Sequence, residues 1–146
     1  MKFAELAAAG RFVLGPVTLD RGEVVDFASS FDDQWFHTDP EAAARGPFGG
    51  LIASGWHTCG LAMRLVSREL LAGSESFASP GLSYLRWPHP VRPGDSLMLE
   101  VTVIEARRSA SRPELGILRW QWVMRNSDRE VVLDLEATSM FKLDDA

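Results

Sequence analysis

From Ala53 to Leu71 the chain reads as one long helix whose first half is apolar nearly all round, and after Pro80 it switches to segments that alternate apolar with polar residues. Trp56, Cys59, Gly60, Leu61, Ala62 and Met63 leave no polar stripe for water, the pattern of a helix enclosed by protein. Arg64, Ser67, Arg68 and Glu69 return its second half to solvent. Gly81–Trp87, Ser96–Ala106, Leu115–Asn126 and Val131–Lys142 carry the two-residue period of strands, and Phe12–Val17 supplies an earlier one. Strands of roughly 11 residues at about 3.3 Å each match in length a helix of about 19 residues at about 1.5 Å each. The pairing predicts an α+β fold in which one long antiparallel sheet wraps around one central helix. The polar run Arg107–Pro113 and the triplet Asn126-Ser127-Asp128 read as hairpin turns, so the last three strands form a meander. A lone sheet leaves its edges bare, which predicts a homodimer.

The 146 residues suit one domain, 1–146, with one core. A net charge of -5 excludes the basic footprint that nucleic acid requires. Cys59 is the single cysteine and cannot form an internal disulfide, and no charged-then-apolar leader pattern opens the chain, so a reducing cytoplasm is expected. Ser54, His57 and Arg64 interrupt the apolar stretch from Leu51 to Val66, so it lacks the roughly 18 apolar residues of a membrane span.

Asp20 with Glu23 three residues on signals a helix that carries Val24, Val25, Phe27 and Ala28 and ends near Ser29, which leaves Phe31–His37 as a loop. Thr38 or Asp39 ahead of Pro40 and Glu41 starts a second helix, to about Arg45. Gly46, Pro47, Gly49 and Gly50 then break the chain before the long helix.

Asp32 and His37 lie five apart on the predicted loop, where a bend can aim both at one spot. Adding water across a conjugated double bond needs such a pair, one group to take a proton and one to place a proton on carbon. The same spacing also fits a surface loop with a hydrogen-bonded histidine. Gly55 opens the long helix, where a backbone N–H has no partner inside the helix and can hold an oxygen that gathers charge. It equally fits close packing under the sheet. Gln34, Trp35, Ser54 and Trp56 lie beside these residues and are expected to contact substrate, the two indoles as walls of an apolar pocket. His37, His57 and His89 are too far apart in sequence for a metal signature, so no metal is expected, and Cys59 reads as a buried, inert thiol.

The pattern Asp32-x-x-x-x-His37-x-Asp39-Pro40, then Phe48-Gly49-Gly50-Leu51-Ile52-Ala53-Ser54-Gly55-Trp56-His57-Thr58, resembles the MaoC-like dehydratases and (R)-specific enoyl-CoA hydratases. Arg86-Trp87-Pro88-His89-Pro90-Val91-Arg92-Pro93-Gly94-Asp95-Ser96 resembles a second stretch of that family, so the likeness runs from about Phe12 to Phe141. The resemblance implies a hotdog fold, a homodimer, and reversible addition of water to a trans-2-enoyl thioester of coenzyme A. It also implies that Asp32 and His37 are the acid/base pair, that Gly55 is the donor to the thioester oxygen, and that no cofactor is needed beyond the coenzyme A of the substrate. Two other readings use the same fold: a thioesterase, and an acyl-CoA binding module without catalysis. The chain differs from the family at Trp35, where Pro is usual, and at Met63, where some hydratases carry serine. Asp33 puts a second carboxylate next to Asp32, and like charge is expected to raise its proton affinity.

Overall fold

In the computed structural model, which describes residues 1–143, the alternating segments form strands and the capped segments form helices. In chain order these are α1 (Phe3–Ala9), β1 (Arg11–Thr18), α2 (Arg21–Phe31), α3 (Trp35–Thr38), α4 (Pro40–Ala44), α5 (Gly55–Val66), β2 (Ser76–Arg86), β3 (Ser96–Arg108), β4 (Leu115–Arg125) and β5 (Val131–Lys142). A π-helical turn, Ser67–Leu71, extends α5 to the end predicted for it.

The five strands make one antiparallel sheet in the order β1-β3-β4-β5-β2. β3, β4 and β5 are the expected meander, and β2 crosses over to lie beside β5. Their alternation has a direct physical result, because inward residues of one strand must meet α5. Leu118, Trp120 and Met124 of β4, with Leu97, Leu99 and Val101 of β3, join Leu61, Ala62, Leu65 and Val66 of α5 in one buried cluster. Some outward residues tie strands together, as Arg119 does by donating to Glu105 and Glu136.

Four elements differ from the sequence reading, the first being β2, which starts at Ser76 and not at Gly81. α5 is not enclosed all round: its buried side follows the helical repeat through His57, Thr58, Leu61, Ala62, Leu65 and Val66. Trp56 and Met63 lie on the other side and are 58% and 42% exposed. Apolarity alone could not say which side a single sheet would cover. The segment Phe31–His37 is not a continuous loop either. α2 runs on to Phe31, and Trp35–Thr38 closes into a helical turn because the Gln34 carbonyl accepts from the N–H groups of His37 (2.9 Å) and Thr38 (3.1 Å) and from the Thr38 hydroxyl (3.0 Å). α1 has no counterpart in the sequence reading. It is seven residues long, too short for a clear period, and it seats the fully buried Leu6 in the core.

Candidate active site

Each part of the site is held by main-chain geometry. Asp20 caps α2 by accepting from the Glu23 N–H at 2.8 Å, and the other end of that helix places Asp32, whose own N–H donates to the Ala28 carbonyl at 2.8 Å. Asp39 caps α4 by accepting from Glu41 and Ala42, which fixes where the α3 turn carrying His37 must end. The glycine-rich segment that follows is drawn under both. Ile52 N–H donates to the Phe36 carbonyl (3.2 Å), Ala53 N–H to the Val91 carbonyl (2.8 Å), and Arg92 Nη1 to the Phe48 carbonyl (2.7 Å). Those bonds bring the two motif stretches together and deliver Ser54 as the cap of α5.

His37 is buried, and its Nδ1 lies 2.7 Å from the Ile52 carbonyl oxygen. A carbonyl can only accept, so Nδ1 carries the hydrogen and Nε2 is the nitrogen available for proton transfer. Nε2 stands 3.2 Å from Asp32 Oδ2. The same carboxylate accepts from Gln34 Nε2 on Oδ1 at 2.6 Å and from the Ser54 hydroxyl on Oδ2 at 2.8 Å.

These contacts settle the charge on Asp32. The Gln34 hydrogen bond, opposed by desolvation and aided by Ser54 and His37, holds its carboxyl below the usual carboxylate range. The expected upward push from neighbouring Asp33 does not prevail, because two donors touch the carboxylate directly.

Gly55 is the first residue of α5, and among the described residues no acceptor takes its N–H. Gly55 lines a cavity of about 250 Å³ together with His37, Ile52, Thr58, Trp87 and Val91. Of the residues expected to contact substrate, Gln34 and Ser54 bind Asp32 from outside this cavity, Trp35 packs against Gly46, and Trp56 lines a second cavity beyond α5. Trp87 was not singled out from sequence, though it sits in the Arg86-Trp87-Pro88 stretch of the second motif. Among the described residues, no cluster of three or more His, Cys, Asp or Glu is disposed to hold a metal, and no helix is long and apolar enough to cross a membrane.

A twisted antiparallel sheet cupping one helix, with a carboxylate and an imidazole beside the helix's open N-terminal end, defines a hotdog-fold protein of the hydratase and dehydratase type. Residues 7–117 match the family described as MaoC like domain, and the chain belongs to that family. It is similar to the MaoC-like dehydratase from Rhodospirillum rubrum, whose crystal structure matches with a TM-score of 0.84 at 38% identity over 94% of each chain. It is 42% identical over 96 residues to 3-hydroxyacyl-thioester dehydratase Z of Mycobacterium tuberculosis, a stretch that covers 62% of this chain and 64% of that relative. The (R)-hydratase from A. caviae involved in PHA biosynthesis matches with a TM-score of 0.67 at 25% identity over 92% of each chain.

Proposed function

We propose that this protein adds water to trans-2-enoyl thioesters of coenzyme A to give (R)-3-hydroxyacyl thioesters, and catalyses the reverse dehydration, as a single-domain homodimer in the cytoplasm. The observation that carries the reading is the Asp32–His37 pair with a fixed imidazole tautomer, set beside a helix-opening N–H that no acceptor among the described residues takes. One water within reach of both side chains donates one hydrogen to His37 Nε2 and the other to the Asp32 carboxylate. His37 takes the first proton as the water oxygen bonds to C3. The electrons of the C2–C3 double bond move onto the thioester oxygen, which the Gly55 N–H stabilises. His37 then returns the proton to C2 on the same face, and Asp32 stays ionised throughout to steady the imidazolium.

His37 is given the proton-carrying role because Asp32 is held in its charged form by Gln34 and Ser54 and is the poorer base. A hydrogen-bond donor of the Gly55 kind contributes about 3 to 4 kcal/mol at the transition state. Relatives named a 3-hydroxyacyl-thioester dehydratase and an (R)-hydratase support the substrate class and the handedness. The homodimer reading is supported by the β2 edge, which pairs only with β5 and exposes Phe77 and Leu82.

The test is the loss of ultraviolet absorbance of the conjugated thioester when protein meets crotonyl-CoA. Asp32→Asn and His37→Ala are each expected to lower kcat/KM by about 10²- to 10⁴-fold. The product should be the R alcohol. Release of free thiol without hydration would mark a thioesterase, and an S product would overturn the assigned handedness.

A further inference from the structure

Two cavities flank α5 on different sides, and they share no lining residue. The first, of about 250 Å³, holds Gly55, Thr58 and His37. The second, of about 290 Å³, begins one step round the same helix at Trp56 and Cys59 and runs past Met63 to Leu71, against Leu135 of β5. It is almost entirely apolar. An alkyl tail extending from the reactive cavity would find it a favourable place to leave water.

Trp87 stands at the junction. Its indole lies flat enough on Gly55 that a methyl group there would come within 2.4 Å of the ring. On the other side it meets Trp56 edge-on, with centroids 5.2 Å apart and planes at 79°. Pro88 follows it and restricts its backbone to extended conformations, which limits how the ring can be presented. Trp87 lines the reactive cavity and packs against Trp56, a wall of the apolar one.

We propose that Trp87 is the specificity-determining partition of the acyl site: it closes the reactive cavity against the apolar cavity behind it, so the protein accepts short enoyl thioesters and rejects long ones. The inference rests on the hydration reading above.

The test compares kcat/KM for crotonyl-CoA and trans-2-octenoyl-CoA. The native protein should favour the shorter substrate at least tenfold. Trp87→Ala should shift the ratio at least tenfold toward octenoyl-CoA, with Trp87→Phe between the two, so that a result remains available if the alanine variant does not fold. Adding Ala78→Phe, which fills the second cavity, to either variant should withdraw the gain. A native protein that handles both lengths equally, an unchanged ratio in active Trp87 variants, or a gain that survives Ala78→Phe would each overturn the partition while leaving hydration intact. A native protein inactive on every length would overturn the hydration reading and the partition with it.

Discussion

At the scale of single residues, the carboxylate of Asp32 is set by its donors more than by its charged neighbours. The Gln34 side chain is the leading cause that keeps its proton affinity low. Gln34→Ala should therefore raise the Asp32 pKa toward or above its ordinary 3.8. A carbon-13 titration of the Asp32 carboxyl reads the same shift directly, and an unmoved titration would remove Gln34 from this role. Gly55 offers a second check. Gly55→Ala drives a methyl into the Trp87 ring, so crotonyl-CoA turnover should fall, and combining it with Trp87→Ala should recover part of the loss. Additive losses in the double variant would show that the two residues do not meet as described.

At the scale of elements, α5 carries a titratable group that the mechanism does not use. His57 is buried, stacks on Phe27 of α2 with centroids 4.5 Å apart, and its Nδ1 has no hydrogen-bond partner among the described residues. Burial lowers its pKa; Glu23 of α2 opposes this and Arg64 of α5 adds to it. The sign follows from which state binds the proton. Above about pH 6.5 both folded and unfolded chains hold His57 neutral, and below it the unfolded chain takes a proton that the folded one resists. Stability should fall as pH drops from 6.5 toward the lowered folded value, and His57→Leu should flatten that slope in urea unfolding between pH 7 and 5. An unchanged slope would mean that His57 is protonated without cost. The elements themselves could be read from the chain wherever one residue's chemistry decides the local outcome. Asp20 and Asp39 cap where capping chemistry places them, and β4 alternates as its residues do. The α3 turn was hidden because its bonds converge on a main-chain carbonyl that any residue would supply. Asp32, His37 and Gly55 could be picked out by type and spacing. The grip of Ser54 on Asp32, and of Trp87 on Gly55, spans 22 and 32 positions and arises only when separate elements come together.

At the scale of the whole molecule, the sheet has two free edges with unlike surroundings. On β2, Phe77 and Leu82 are both exposed. An apolar surface of that kind next to an unpaired edge is what a second copy of the chain would cover. Leu82→Lys, which puts a charge in the middle of the proposed contact, should weaken association by at least about 100-fold, since an unpaired buried charge costs several kcal/mol. Sedimentation over a range of concentrations checks this, and a native protein that stays monomeric at every concentration would rule the dimer out. The contact of Ile52 with His37 has a different reach. The oxygen that orients the imidazole belongs to the backbone, so no replacement of the side chain at position 52 deletes it. Mutational drift can strip the carboxylate, its amide and its hydroxyl one by one, yet the ring stays aimed for as long as the chain folds. Descendants that lose hydration would thus inherit a pre-aligned base, ready for another reaction.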